Sequence, residues 1–395
     1  MPKKASLLII FMTVFIDLLG FGILIPILPT FASKNLGVSD FGIGIIVAGY
    51  SLMQFIFNPI LGKLSDRYGR KPFIVWPLLM VSFSYLIFSF SNSFFLLLLS
   101  RVIAGIGGSN IGVAQAYISD VTTKSNRAKG MGLIGAAFGL GFVFGPFIGG
   151  VISKYGYDVA GFFSAGFSFL ASLFAFIFLK ESNNERKDKV RIRIRIMDFS
   201  ALFSVLKTPI VGILVTIFFI IIFSIANIYG TFSLLGFKYY SFTDAQNGYL
   251  FGIMGIVSAT IQGLFIRPIT AKFQDRSILL TGVLFMSFGL GAIPYGVNFL
   301  GVAIVVGILS IGTGLLQPTV LSMISKFSDE RRQGEVLGLN SSMASLARVF
   351  GPVWGGFSFH YIGFEFPFLT GAFFTLLTFF IVLFLLSSQR LRQFS

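Results

Sequence analysis

The 395-residue chain contains no cysteine and a single histidine, His360. The absence of cysteine excludes disulfides, thiol catalysis and cysteine-ligated metals, and one histidine alone does not support a histidine-based metal site. The sequence also has no nucleophile elbow, no phosphate-binding loop that follows a strand and no cluster of metal ligands. We therefore expect neither an enzyme nor a protein that holds a metal or another cofactor.

Charged residues are also scarce, at 11% of the chain, whereas apolar residues reach 55%. Soluble domains carry about 25% charged residues, so this chain is predicted to lie in lipid. Apolar runs recur twelve times, and a membrane-spanning helix needs roughly 20 such residues. These runs, here spans 1 to 12, lie near 7–32, 41–62, 73–91, 94–119, 130–153, 160–180, 209–233, 244–266, 277–297, 299–325, 334–358 and 365–387. Without the alternation of outer-membrane strands, they predict an all-α membrane protein with twelve transmembrane helices.

The basic residues predict the orientation of the chain. With the amino terminus inside, 25 of the 30 Lys and Arg residues fall in inner segments and three in outer loops. This asymmetry follows the positive-inside rule, so we expect a multi-pass protein of the inner (plasma) membrane with both termini in the cytoplasm. The rule also accounts for the net charge of +15, and we reject nucleic acid as a partner.

The sequence is doubled. The hexapeptide GPFIGG at 145–150 reappears as GPVWGG at 351–356, 206 residues later. At similar offsets, Asp40 matches Asp244, and further glycines and glutamines match in the same way. Because six spans per half is an even number, both copies have the same orientation, and we expect an axis along the membrane normal to relate them.

The repeat predicts two domains joined by a polar segment. We expect an amino-terminal bundle at 1–181, a cytoplasmic linker at 182–207 and a carboxy-terminal bundle at 208–395. Arg and Ile alternate over 191–196, a pattern that suits either contact with anionic headgroups or a solvated tether.

The loop between spans 2 and 3 has the most specific motif, GKLSDRYGRKP at 62–72. Its two glycines, Gly62 and Gly69, are expected to allow close helix approach and unusual backbone angles. Its charged residues can pair with helix ends, acids or headgroups, and they are Asp66, Arg67, Arg70 and Lys71.

With this loop the chain resembles the major facilitator superfamily, and the preceding YSLMQFIFNPIL makes it most similar to the tetracycline-resistance branch of the drug:proton antiporters. The similarity covers nearly all of the first half and less of the second. It implies two pseudo-symmetric six-helix bundles and a latch that closes the outward-open state from inside. In that latch Asp66 faces the start of span 11 and Arg70 pairs with Asp120. The alternative is an ordinary basic loop that sets topology.

Span 5 contains glycines four residues apart, Gly141, Gly145 and Gly149, which predict a face for close approach of another backbone. Pro146 removes a backbone donor and is expected to bend the helix. Together with Gly150, these residues resemble the antiporter motif of the family, which implies exchange rather than symport. Plain helix packing is the alternative.

The sequence DLLGFGILIPILP, from Asp17 onward, also resembles the first-helix motif of these antiporters. Asp17 lies roughly 16 Å into span 1, deeper than any other carboxylate. An acid at that depth is costly and indicates a cavity, a proton relay or a cation site. Arg101 of span 4 lies at an overlapping height, so the two are candidate proton-coupling residues, with a structural ion pair as the alternative.

Span 9 lacks the carboxylate that the tetracycline exporters have there, which disfavours tetracycline itself as substrate. Arg348, deep in span 11, can bind an anionic group or cap backbone carbonyls. The candidates for a substrate cavity are the polar residues Gln54, Asn110, Gln115, Asn227, Tyr229, Gln262, Gln317 and Arg348. An apolar, aromatic cavity with few polar groups suits amphiphilic ligands.

Together these features predict a monomeric secondary transporter in the lipid bilayer, with a small-molecule substrate and protons as partners. Export of a drug-like or metabolite solute by proton exchange and alternating access is the leading hypothesis. A proton symporter or facilitator that imports a sugar or organic acid is the first alternative, since fold does not fix function. A membrane scaffold or sensor without transport is the second.

Overall fold

A computed structural model describes residues 3–123, 126–182, 199–329 and 332–385. Over these residues the chain forms fifteen α-helices and no strand. Spans 1 to 3 are single helices, α1 to α3, and span 4 consists of α4 and α5. Spans 5 and 6 are α6 and α7. In order, the bounds are Lys3–Lys34, Asp40–Tyr68, Pro72–Ser89, Phe94–Gly107, Asn110–Val121, Arg127–Ile152 and Tyr157–Phe178.

The second half repeats this plan after a short helix, α8 (Phe199–Leu206). Span 7 is α9, and span 8 consists of α10, a π-helical turn and α11. Spans 9 to 12 are α12 to α15. In order, the bounds are Val211–Tyr239, Asp244–Thr260, Ile261–Phe265 for the π turn, Ile266–Lys272, Asp275–Ala292, Phe299–Phe327, Gln333–Tyr361 and Phe366–Leu385.

Eleven spans of the described chain are long and apolar enough to cross a membrane. The remaining predicted span, span 11, forms the 29-residue helix α14. Its length suffices, but Glu335, Asn340 and Arg348 make it more polar than the others. The predicted all-α membrane class is confirmed.

Span 4 is not the continuous helix that its apolar run predicts. The helix ends at Gly107 and resumes at Asn110. A Cβ on Gly107 would lie 2.6 Å from the carbonyl oxygen of Pro77, so span 3 approaches the break closely. Gln54 Nε2 donates to the carbonyl oxygen of Gly108 at 3.0 Å and thereby satisfies a backbone group that lipid cannot.

The glycine face predicted for span 5 packs against span 1. A Cβ on Gly145 would lie 2.6 Å from the Cα of Gly22, and one on Gly141 would lie 2.6 Å from the Cβ of Leu18. Span 11 packs against span 7 in the same way, because a Cβ on Gly351 would lie 2.8 Å from the backbone nitrogen of Asn227. The prediction of close backbone approach is confirmed, and both copies of the repeat use it.

The chain divides into two compact units. Unit 1 contains Met1–Val38, Gly49–Ile196 and Thr243–Gly252. Unit 2 contains Ser39–Ala48, Met197–Phe242 and Ile253–Ser395. Two helices therefore change unit along their length: α2 begins in unit 2 and continues in unit 1, whereas α10 does the reverse.

The predicted linker at 182–207 ends in α8, a short helix within a segment expected to be a polar tether. Residues 183–198, including the alternating Arg and Ile, lie outside the described residues. The division into bundles at 1–181 and 208–395 stays a prediction.

The packing of span 5 on span 1 predicts opposite effects for two alanine substitutions in α6. Alanine is favoured over glycine in helices by about 1 kcal/mol, so Gly132→Ala, at a position with nothing within 4 Å, should keep or raise the melting temperature. Gly145→Ala should lower it, because overpacking against Gly22 costs about 1–3 kcal/mol. Thermal unfolding in detergent measures both variants, and equal melting temperatures would contradict the packing described.

Candidate functional site

Asp17 lies inside unit 1 and is only 8% exposed. Ser168 Oγ of span 6 donates to Asp17 Oδ1 at 2.8 Å. Gly20 allows the close approach of the two helices, since a Cβ there would lie 2.9 Å from the carbonyl oxygen of Ser164. The carboxylate is therefore held by a neutral hydroxyl from a neighbouring helix.

Arg101 is 4% exposed and makes no direct ion pair with Asp17 among the described residues. Its guanidinium carbon lies 5.4 Å from the ring centroid of Tyr85 and 5.7 Å from that of Phe88. Its Nη2 is buried and has no hydrogen-bond partner within the described chain. Tyr85, which sequence reasoning did not identify, lies within electrostatic range of both Asp17 and Arg101.

These residues form what we call the Asp17 cluster: Asp17, Tyr50, Tyr85, Arg101 and Ser168. Ser168 contacts the carboxyl directly, Tyr85 interacts with both Asp17 and Arg101, and no second carboxylate of the described residues takes part. Serines at 164, 168 and 172 repeat every four residues in span 6, and all are buried. That period was the signal in the sequence that could have identified Ser168.

The loop between spans 2 and 3 is held by Arg70, which is 8% exposed. Arg70 Nε lies 3.0 Å from Asp120 Oδ2, so the pair implied by the resemblance is present. Arg70 Nη2 lies 2.6 Å from Asp66 Oδ1, and Nη1 donates to Ser65 at 2.7 Å. Ser182 Oγ also donates to Asp120 at 3.0 Å. One guanidinium thus ties the end of span 2 to the end of span 4.

Glu181, at the end of span 6, was not predicted as part of this loop. Its carboxylate accepts hydrogen bonds from the backbone nitrogens of Arg70 at 2.7 Å and Lys71 at 3.1 Å. These nitrogens lie at the start of α3, where helix geometry leaves donors without partners. Gly69 has φ +106, and a Cβ there would lie 2.5 Å from Glu181 Oε2, so a glycine is required. We call Asp66, Arg70, Asp120 and Glu181 the inner latch residues.

The other loop residues have smaller roles. Gly62 lies inside α2, and a Cβ added there would have nothing within 4 Å, so the expected close helix approach is wrong for it. The guanidinium of Arg67 lies 5.2 Å from the ring centroid of Tyr68. Lys71 Nζ lies 5.4 Å from that of Phe176.

The first residue of another helix packs closely against the last glycine of each repeated hexapeptide. In unit 1, a Cβ on Gly150 would lie 2.8 Å from the carbonyl oxygen of Asp244, at the start of α10. In unit 2, a Cβ on Gly356 would lie 2.6 Å from the carbonyl oxygen of Asp40, at the start of α2. The matched aspartates therefore occupy equivalent places, which we call the two docking contacts.

The aspartates differ in their partners. Lys238 Nζ lies 2.5 Å from Asp40 Oδ1, and His360 Nδ1 lies 3.6 Å from Asp40 Oδ2. Tyr157 Oη, by contrast, donates to Asp244 Oδ2 at 2.8 Å. One docking contact thus contains an ion pair, whereas the other contains hydroxyl hydrogen bonds with the Lys34 charge further away.

The residues predicted to line a substrate cavity differ widely in solvent exposure. Gln115 and Gln262 are exposed, Asn110 and Asn227 are buried, and the half-buried ones are Gln54, Tyr229, Gln317 and Arg348. Asn227 is fully buried, and its Nδ2 donates to the carbonyl oxygen of Pro367. Because it also packs against Gly351, Asn227 takes part in helix packing in unit 2, and its place in a substrate cavity stays a prediction.

Arg348 and Tyr229 form the polar centre of unit 2. Arg348 Nη2 donates to Ser345 Oγ at 3.1 Å, and its charge lies within electrostatic range of Tyr229. Gln262 lies in the π-helical turn of span 8, a backbone feature that often occurs at functional sites and that the sequence did not predict.

Comparison with known proteins gives a consistent result. The chain matches the family model described as Major Facilitator Superfamily over residues 10–307 and 216–394. It is 30% identical to Multidrug resistance protein 2 of Bacillus subtilis over 94% of this chain and 92% of that protein. It is 30% identical to Tetracycline resistance protein, class E, of Escherichia coli over 86% and 84%. The crystal structure of the human organic anion transporter MFSD10 superposes with a TM-score of 0.73 at 25% identity, over 97% of this chain and all of that one.

The inner latch geometry predicts that Glu181 stabilises the loop. Glu181→Gln removes the charge that accepts two backbone donors and should lower the free energy of unfolding by about 1 kcal/mol. Trypsin should then cleave faster after Arg67 and Arg70. Glu365→Gln, at another half-buried acid, is the matched control and should change neither quantity. Identical cleavage rates in the two variants would contradict this role.

Proposed function

The chain belongs to the Major Facilitator Superfamily, and on this premise we propose that it exports a small amphiphilic solute in exchange for protons. Membership makes it a secondary transporter of small molecules and not an enzyme. We further propose that it acts as a monomer in the plasma membrane, with both termini in the cytoplasm, as its basic inner loops predict.

The Asp17 cluster is the observation that supports proton coupling. A carboxyl in mid-span with one hydroxyl partner and no adjacent cation among the described residues can gain or lose a proton at modest structural cost. Offsets of 201–206 place the repeat of Asp17 at residues 218–223, which are all Phe or Ile. The second half therefore supplies no equivalent acid, and one coupling site is expected.

The cluster suggests how binding and protonation exclude one another. Arg101 Nη2 has no hydrogen-bond partner in the described part of the chain, and Arg101 and Asp17 both lie near Tyr85. A small shift of Arg101 toward Asp17 would favour the carboxylate, and its withdrawal would favour the neutral acid. We propose that Asp17 takes a proton from the outer side, that substrate competes with this state, and that the proton leaves inside.

Alternating access needs contacts that open and close at both ends. We propose that the inner latch acts at the inner ends of spans 2 and 4, as the resemblance implies. The docking contacts at Asp40 and Asp244 lie at the predicted outer ends of spans 2 and 8. Each contact lies within one compact unit but joins residues of the two predicted bundles, so we propose that both separate when the outside opens.

The substrate is proposed to be an amphiphilic, drug-like or metabolite solute. The two bacterial relatives are named for multidrug and tetracycline resistance. Span 9 has its one carboxylate at Asp275, the first residue of α12, and none deeper. Tetracycline itself therefore stays disfavoured.

An organic anion is the second candidate substrate. Arg348 beside Tyr229 gives unit 2 a deep cation, and the described spans contain no carboxylate at that depth in this half. The solved human relative is named an organic anion transporter. An anionic amphiphile would satisfy both observations, and import of an organic acid with protons would use the same residues.

Purified protein in proteoliposomes with an imposed pH gradient tests the proposal. Cationic, neutral and anionic amphiphiles are added in turn, and internal pH is followed. We expect proton flux that depends on one class of solute and that disappears in Asp17→Asn, while Asp158→Asn, at an exposed acid, retains it. Solute movement with protons in the same direction would favour the symporter. Full coupled activity in Asp17→Asn would refute the assignment, and no flux with any solute would favour the scaffold.

A wedge substitution tests the docking contacts. A side chain on Gly44 would collide with the Pro352 carbonyl and lie 3.1 Å from the Cα of Gly356. Gly44→Val should therefore favour opening of the predicted outer side. Gly166→Val, in α7 with nothing within 4 Å, is the control. Because the chain has no cysteine, single cysteines report accessibility from each side, and unchanged labelling in Gly44→Val would rule out this gate.

A further inference from the structure

A groove runs between α3 and α7 in unit 1 and has a volume of about 340 Å³. Its walls are apolar and include Trp76, Leu79, Phe169, Leu173 and Phe176. Trp76 is 67% exposed and Phe176 62%, so the groove opens to the surroundings of the helix pair. In a chain that spans the membrane, those surroundings are lipid.

The interior of the groove offers no polar partner to a ligand among the residues that line it. Ser172 is their one hydroxyl residue, and Ser172 Oγ donates to the carbonyl oxygen of Val75 at 3.0 Å. That bond ties α7 to α3 and occupies the hydroxyl proton. A hydrogen-bonding solute would lose its own water contacts there without compensation.

A cation marks one end of the groove. Lys71 lines the end of the groove that lies next to the inner latch residues. Its Nζ lies 5.4 Å from the ring centroid of Phe176. Among the described residues, no carboxylate lies within 4.0 Å of this ammonium. Glu181 binds the backbone nitrogen of Lys71, so the residue is fixed at the mouth while its charge stays available.

We propose that this groove binds an anionic phospholipid, with one acyl chain along the apolar wall and the phosphate at Lys71. The apolar walls match the acyl chain and the cation at the end matches the phosphate. The surrounding bilayer supplies phospholipid at high concentration. A basic residue near a membrane surface attracts anionic lipid by about 1 kcal/mol, which corresponds to about a fivefold preference over a zwitterionic lipid. The site is independent of the proposed transport.

The fluorescence of Trp76 can report lipid bound in the groove, because the chain has only two tryptophans and the other can be replaced. In a Trp354→Phe background, the protein is placed in nanodiscs of phosphatidylcholine that contain a small fraction of lipid brominated on its acyl chains. Bromine quenches a nearby indole, and brominated phosphatidylglycerol is compared with brominated phosphatidylcholine. We expect about fivefold stronger apparent binding for phosphatidylglycerol.

The variants separate this site from general surface charge. Lys71→Gln should bring the preference close to 1, Lys71→Arg should keep it, and Lys272→Gln, at another basic residue of the predicted inner side, should leave it unchanged. A preference that survives Lys71→Gln, or that falls equally in Lys272→Gln, would overturn the proposal. If Lys71→Gln does not fold, Leu79→Phe, which narrows the groove and keeps the charge, should reduce the preference, and an unchanged value there refutes the site.

Discussion

Close backbone contact between glycine faces is the constraint on which the rest of the structure depends. Lipid supplies no hydrophobic drive between helices, so small residues that allow dense packing must hold them together. Gly22 on Gly145 fixes span 1 against span 5, and Gly20 brings span 1 against Ser164 of span 6. Asp17 lies one turn before Gly20, so the same contacts that join the helices also place its carboxyl 2.8 Å from Ser168. Any larger residue at these glycines would move the acid from its partner.

The two halves share their glycine packing but differ in their buried charges. Equivalent glycines pack span 5 against span 1 and span 11 against span 7. The aspartate that begins span 8 or span 2 packs against the last glycine of each hexapeptide. The charged groups do not follow this symmetry: unit 1 has the buried acid, whereas unit 2 has Arg348 beside Tyr229. Under the proposed function, this asymmetry of charge would confine proton binding to unit 1.

The sequence predicted features that have a period or a composition. Spans, the glycine face and the repeat leave such signals over many residues, and the Arg70–Asp120 pair followed from a resemblance. The break at Gly108 was not predicted, because it depends on contacts with Pro77 and Gln54 from other spans. Glu181 was missed for the same reason: it lies 111 residues from the Arg70 nitrogen it binds. The packing role of Asn227 was not predicted, since a polar side chain in a span can serve a backbone carbonyl as well as a ligand.

In the proposed alternating access, the two docking contacts would form an outer closure that is tight but reversible. Glycine against backbone gives many small dispersion contacts and no interlocked side chains, so separation has few steric barriers. The Asp40 contact adds Lys238 and the single histidine, His360, at ion-pair distance, whereas the Asp244 contact adds the Tyr157 hydroxyl, with Thr30 and the Lys34 charge near its acid. Separating an ion pair from its partner costs more than separating a neutral hydrogen bond, and the cost falls as water enters. Under the proposed function, we therefore expect opening to begin at the start of α10, where the acid makes no ion pair within 4.0 Å among the described residues, and to finish at the start of α2.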